Sequence, residues 1–138
     1  FKTANNTTAA HALVVGAGLV NVYAGNSTAY PERNLEAVIV AEPDVVVKLW
    51  GSSAILDETL YTEYTAALAG VSAVDNGRVI MLNNECGTTA IGSIIGRLYI
   101  AQFAYPELFR DLNVDKIYEE LYTGFLGKDF PGSGAYIK

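Results

Sequence analysis

The hydrophobic positions of this chain fall into two kinds of block. Two short runs of aliphatic and β-branched residues, "DVVVKLWG" (44–51) and "RVIML" (78–82), show no alternation of apolar and polar positions. Such runs are typical of strands whose two faces are both covered, so we predict two buried strands, the first of them central in its sheet. A further short strand is predicted at 21–24.

The other apolar blocks follow the helical repeat. Gly92 and Gly96 lie one turn apart on one of these predicted helices and would let another element approach closely. The last helix carries an apolar stripe that runs from Val114 to Phe125. The predicted helices cover 9–20, 35–41, 58–69, 90–104 and 114–125, and the candidate N-caps are Thr7 or Thr8, Asn34, Asp57 and Asn113.

Strands separated by helices of this length imply right-handed βαβ units. We therefore predict one α/β domain over 1–138, a three-layer α/β/α sandwich with a mostly parallel central sheet. Ligands of such sheets bind beyond the carboxyl ends of the strands, which here are the loops 50–53 and 83–89. The Gly-rich end "PGSGAYIK" (131–138) is predicted to be a surface extension.

Charge and composition exclude several classes of function. The net charge is −6 and the nine basic residues are scattered, so no basic stripe exists to bind nucleic acid. The single Cys86 cannot form an internal disulfide, and the single His11 cannot build an ordinary zinc site. We expect no cofactor. Because the chain begins with Phe1 and not Met, we expect that an upstream part has been removed.

The stretch "LVVGAGLVNVYAG" (13–25) contains a G-x-G pattern. A dinucleotide-binding turn needs a third glycine at fixed spacing and then a helix, because the pyrophosphate lies against the helix N-terminus. This chain has Asn21 at that third position, followed by turn-forming residues. The pattern is therefore interpreted as the end of a packed helix.

Four segments in the same order resemble a known family. They are "AGLVNVYAGN" (17–26), "NLEAVIVAEPDVVVKLWG" (34–51), "VSAVDNGRVIML" (71–82) and "LYIAQFAYPELF" (98–109). Together they resemble the C-terminal lobe of the iron-siderophore, haem and cobalamin substrate-binding proteins of ABC importers, the class III periplasmic binding proteins. The family's N-terminal lobe has no counterpart in this chain.

The resemblance implies transport without catalysis. In this family the ligand occupies a cleft between two lobes, and a glutamate on each lobe docks on the membrane permease; Glu36 is the matching position here. It also implies an extracytoplasmic, membrane-anchored protein that captures a metal chelate, first of all a ferric-siderophore-like iron complex. Helix preference at a first turn explains Glu36 equally well.

The candidate ligand contacts lie in loops. An indole at a strand end can stack on a macrocycle and can equally be a core residue, whereas amide and carboxylate groups fix polar ligands. Cys86 lacks a nearby base, so no catalytic residue is predicted. The candidates are Trp50, Ser52, Asn84, Glu85 and Tyr30.

Two other functions stay open at this point. A small flavodoxin-like enzyme or nucleotide-binding domain would use the loops 50–53 and 83–89, and the hydroxyl-rich residues 51–53 are its best candidate for a phosphate site. An interaction domain would instead assemble through its helix faces. An isolated lobe could also form a homodimer that covers an exposed face.

Overall fold

A computed structural model describes residues 1–51 and 54–138. None of the helices in these two ranges is both long enough and apolar enough to cross a bilayer. In chain order the elements are α1 (Ala9–Gly16), α2 (Leu35–Val40), β1 (Val46–Trp50), α3 (Glu58–Ala66), α4 (Ser72–Asp75), β2 (Val79–Asn83), α5 (Glu85–Thr88), α6 (Gly92–Ala104), α7 (Val114–Glu120), a π-helical turn (Leu121–Phe125) and β3 (Ala135–Ile137).

The predicted N-caps are confirmed. In each case a side-chain oxygen accepts a hydrogen bond from the backbone N–H three residues later, which satisfies one of the free donors of the first turn. After α2, Glu42 leaves helical geometry, as expected for a residue before a proline, but its φ of 43° lies in the left-handed region and not in the extended region that a following proline favours. The capping residues are Thr8, Asn34, Asp57 and Asn113.

The sheet has three described strands in the order β1-β2-β3. β1 and β2 are parallel, in a register that runs from Val46 beside Val79 to Trp50 beside Asn83. β3 is antiparallel to β2. The prediction of a mostly parallel sheet with β1 at its centre is therefore wrong, because β2 is the central strand and one of the two strand pairs is antiparallel.

Two other segments differ from their predictions. The C-terminal segment is not only a surface extension, since 135–137 form β3 and the Asn83 N–H donates to the Gly134 carbonyl at 2.9 Å. Residues 21–24 form a turn and not a strand. Asn21 causes this turn, because its side-chain oxygen accepts from the Tyr23 N–H at 2.9 Å and so offers the backbone a partner outside any sheet.

Helices cover both faces of the sheet. On one face, Ile80 and Leu82 pack with buried residues of α1, α6 and α7. On the other face, Val79 and Met81 pack with Tyr61 of α3. A separate cluster around Val38, Leu68 and Val71 joins α2 to the segment after α3 and contacts Val46 at the start of β1. The domain is therefore α/β, as predicted.

The two glycines of α6 permit a close approach, as predicted. A Cβ atom on Gly92 would collide with the Glu85 carbonyl oxygen, and one on Gly96 would collide with the Cys86 carbonyl oxygen. The backbone of α5 therefore lies directly against α6 over the carboxyl end of β2.

The stripe of the last helix ends earlier than its periodicity predicts. Val114 and Tyr118 are buried, but the side chain of Phe125 is 85% exposed. The Leu126 N–H donates to the carbonyl of Leu121, five residues back, at 3.2 Å. This wider π turn changes the angle between successive residues and rotates Phe125 away from the core.

Candidate ligand-binding surface at the strand ends

The carboxyl ends of the two parallel strands lie side by side. Trp50, the last residue of β1, is the register partner of Asn83, the last residue of β2. Asn84 and Glu85 follow at once and begin α5. Three of the predicted contacts, Trp50, Asn84 and Glu85, therefore lie at the same edge of the sheet, where α/β domains bind their ligands.

The backbone after β2 turns tightly and is held by its own polar groups. The Glu85 N–H donates to Asn83 Oδ1 at 2.9 Å, and the Asn84 carbonyl accepts from the Thr88 N–H at 2.9 Å. The Asn84 and Glu85 side chains are both half-buried. Their positions are therefore set by a short helical turn and not by a long free loop.

Glu85 has a partner that sequence reasoning missed. The Tyr122 hydroxyl, on the π turn after α7, donates to Glu85 Oε2 at 3.1 Å. The sequence places Tyr122 on the apolar stripe of that helix, and a ring edge of Tyr118 does pack on its ring at 4.8 Å between centroids. The one available signal was the hydroxyl, because a half-buried tyrosine usually directs its polar tip to a partner.

Trp50 is packed on the side of the sheet that α3 covers. Its Nε1–H donates to Met81 Sδ at 3.1 Å, and its ring meets the edge of Tyr64 at 5.9 Å between centroids. Lys48 Nζ lies 4.6 Å from the centroid of the indole, and burial lowers the pKa of Lys48. The indole is thus half-buried among fixed neighbours, and only its exposed part is available to a ligand.

The other predicted residues lie elsewhere. Tyr30 is 55% exposed in a segment whose Ala29 and Pro31 carbonyls accept from the N–H groups of residues 5 and 3. Glu36 is exposed in the first turn of α2, which packs at the amino end of β1. Ser52 lies outside the described residues. The structure therefore brings three of the predicted residues together and places Tyr30 and Glu36 apart from them.

A partly buried polar cluster lies beside the carboxyl end of β2, since its Gly134 also bonds to Asn83. The Tyr99 hydroxyl donates to Asp115 Oδ1 and accepts from the Gly134 N–H at 3.2 Å, which links α6, α7 and the start of β3. Burial and the Asp115 carboxylate raise the pKa of Tyr99.

Cys86 is fully buried, and this burial raises the pKa of its thiol to about 11. A thiol in that environment is protonated and inaccessible, which is the opposite of an activated nucleophile.

The polar groups at this edge are hydrogen-bonding oxygen and nitrogen groups. The Glu85 carboxylate and the Asn84 and Tyr122 side chains can hydrogen-bond a polar ligand. In the described ranges no group of three or more His, Cys, Asp or Glu side chains is arranged to hold a metal ion. The chemistry that these side chains offer is therefore the recognition of a ligand's polar groups.

Comparison with known proteins identifies the fold. No protein-family model and no curated protein sequence matches the chain. Among solved structures, 99% of the chain superposes on the TroA-like periplasmic binding protein FepB of Veillonella parvula with a TM-score of 0.83 and 20% identity. Another match is the molybdate periplasmic binding protein MolA of Haemophilus influenzae, with 96% of the chain covered, a TM-score of 0.75 and 19% identity. A third is Helicobacter pylori CeuE with Ni(II) bound, with 80% covered, a TM-score of 0.59 and 20% identity.

The chain has the fold of one lobe of a class III periplasmic binding protein. It spans 44% of FepB, 41% of MolA and 36% of CeuE. The family resemblance of the four sequence segments is confirmed at the level of the fold.

Proposed function

We propose that the chain is the C-terminal lobe of an extracytoplasmic solute-binding protein of an ABC importer, which captures a metal chelate and delivers it to a membrane permease. The observation that supports the proposal is that Trp50, Asn84 and Glu85 end or directly follow the two parallel strands at one edge of a lobe of this fold, where Tyr122 donates to Glu85. The order of the four sequence segments supports the same function, and an iron complex is the first ligand to test.

The charge of the surface bears on the class of ligand. Glu85 carries the single formal charge among Trp50, Asn84, Glu85 and Tyr122. A carboxylate in a partly dehydrated surface repels an oxyanion and attracts a cationic or hydroxyl-rich ligand. Among the matched proteins, MolA binds molybdate and CeuE has Ni(II) bound. For this chain we favour a neutral or cationic chelate over a free oxyanion.

Capture needs a second wall. A pocket that holds a small ligand buries about 70 to 90% of its surface, which a single open wall does not achieve. The chain spans less than half of FepB and MolA. We therefore expect high affinity from the full-length polypeptide, in which two lobes close on the ligand by a hinge movement.

Calorimetric titration of the full-length protein with a ferric siderophore, haem, cobalamin, Ni(II)–histidine and molybdate tests the ligand class. We expect saturable binding of a ferric chelate, weakened roughly tenfold or more by Glu85→Gln or Tyr122→Phe. The first change removes the charge, and the second removes the donor, of a charge-assisted hydrogen bond. Saturable binding of a flavin or nucleotide, with no response to any metal complex, would favour the nucleotide-binding alternative.

Glu36 is proposed to dock on the permease. Its carboxylate is exposed on a helix that begins at a well-formed cap, so its position is fixed and a cationic partner can reach it. We expect Glu36→Ala to leave chelate affinity unchanged and to slow uptake through the reconstituted importer roughly tenfold. Glu63→Ala, at another exposed helical glutamate, is the matched control. Equal uptake by the two variants would remove the docking role.

A further inference from the structure

The outer edge of β1 has unused backbone hydrogen-bonding groups. The Val46 N–H donates to the Arg78 carbonyl at 2.9 Å, so residues 46, 48 and 50 direct their N–H and C=O groups at β2. By the alternation of a strand, Val47 and Leu49 direct theirs away from β2. No described strand lies beyond that edge.

A cavity of about 260 Å³ follows this edge. Leu13 and Val14 of α1 line it from one helix layer, and Tyr64 and Leu68 of α3 and the residues after it line it from the other layer. β1 forms its floor. Because both helix layers contribute walls, the cavity lies in the plane of the sheet, where the next strand would lie.

The shape of the cavity limits which kind of segment can fill it. A second folded copy would present its own β1 recessed between the same two helix layers, so the two edges could not meet. Residues 1–4 line the outer side of the cavity, but Lys2 pairs with Glu32 and not with β1. A single extended segment fits, and because the walls are apolar on both faces, its side chains must be apolar on both faces as well.

We propose that one further β-strand, supplied by polypeptide beyond these 138 residues, pairs with the free edge of β1 and fills this cavity. The chain spans only 44% and 41% of FepB and MolA, so proteins of this fold have additional polypeptide to supply it. The proposal depends on the proposed function only in taking the chain as part of a two-lobed protein. It requires neither the chelate nor the permease.

Amide hydrogen exchange tests the proposal residue by residue. The rates at Val47 and Leu49 are measured in the 138-residue chain and in the protein as its cells produce it, with Ile80 of the central strand as the internal control. We expect both edge amides to exchange roughly a hundredfold more slowly in the native protein, and Ile80 to be protected in both. The proposal would be overturned if Val47 and Leu49 exchanged at the same rates in the 138-residue chain as in the native protein. It would also be overturned if protection of these amides in the 138-residue chain increased with protein concentration, because that would indicate pairing with a second copy.

Two proline substitutions, measured by urea unfolding, provide an independent test. Val47→Pro removes an N–H that β2 does not use, so the 138-residue chain should tolerate it as edge strands do, whereas the native protein should lose the added strand and unfold at a lower urea concentration. Lys48→Pro removes a bond to β2 and should destabilise both proteins. Equal effects of Val47→Pro on the two proteins would contradict the proposal. Glu36→Ala should change neither readout, which separates this test from that of the docking role.

Discussion

The two parallel strands have similar sequences and different surroundings. In β2, Val79, Ile80, Met81 and Leu82 are each 0% exposed. All five residues of β1 are half-buried. The difference comes from neighbours, because β2 is paired on both sides whereas β1 is paired on one. An apolar run thus identifies a strand, and its place in the sheet depends on which other segments reach it.

The candidate site joins these two environments. Asn84 and Glu85 follow the fully packed strand, and the Tyr122 hydroxyl donates to Glu85, whereas Trp50 ends the strand with the open edge. We therefore expect the Glu85 side of the surface to be rigid and the Trp50 side to depend on whatever completes the sheet. The following predictions test this contrast.

The largest expected effect is a cavity in the central strand. Ile80→Ala should lower the free energy of unfolding by about 4 kcal/mol, because packing on both faces prevents collapse into the space. Val47→Ala on the half-exposed edge strand should cost about 1 kcal/mol in the 138-residue chain. Urea titrations measure both values, and equal costs would show that the strands do not differ in packing.

An added methyl group where α5 lies against α6 should lower the free energy of unfolding nearly as much as Ile80→Ala. Gly96→Ala places a methyl group against the Cys86 carbonyl oxygen, so α5 and α6 must separate, at a cost of about 3 kcal/mol. In Gly124→Ala the new methyl group meets nothing within 4 Å, and the change should be neutral or slightly stabilising. Thermal melts of the two variants compare them directly. A neutral Gly96→Ala would mean that the contact between α5 and α6 is loose.

Alkaline pH should destabilise both regions, in pH windows that overlap but begin and end at different values. Burial raises the pKa of Cys86 from 9.0 to about 11 and that of Tyr64, beside β1, from 10.0 to about 12. Because the unfolded chain loses these protons first, the free energy of unfolding is highest below pH 9 and falls as the pH rises through these windows. For Cys86 the loss amounts to about 3 kcal/mol. Urea titrations at stepped pH should show a shallower fall for Cys86→Ala between pH 9 and 11, and a shallower fall for Tyr64→Phe between pH 10 and 12. Unchanged curves would contradict this assignment.

The smallest effect concerns two helix caps. Asn34→Ala and Asn113→Ala each remove one capping hydrogen bond, worth about 1 kcal/mol. α2 has six residues and buries only Val38. Loss of its cap in Asn34→Ala should therefore speed amide exchange within α2 and leave the midpoint of global unfolding unchanged. Asn113→Ala should shift the global midpoint, because α7 packs on the main core through Tyr118. The same response from both variants would remove the regional difference.

Several features of the fold and the site could be predicted from local sequence. A cap needs only a side chain and the N–H three residues on, and Thr8, Asn34, Asp57 and Asn113 act as predicted. The juxtaposition of Trp50 with Glu85 followed from the rule that parallel strands end at one edge. The pairing of Glu85 with Tyr122 did not follow, because the two residues are 37 positions apart and the stripe marked Tyr122 as core.

By itself, the sequence determined where α1, α2, α3 and α7 begin, which two runs become parallel strands, and that α6 must accept a close neighbour at Gly92 and Gly96. Each of these depends on interactions within a few residues or on the absence of a side chain. Only the tertiary structure decided that β2 is central, that the C-terminal segment adds β3, and that a π turn exposes Phe125. These outcomes depend on which distant segments supply backbone partners and packing surfaces, and no local pattern contains that information.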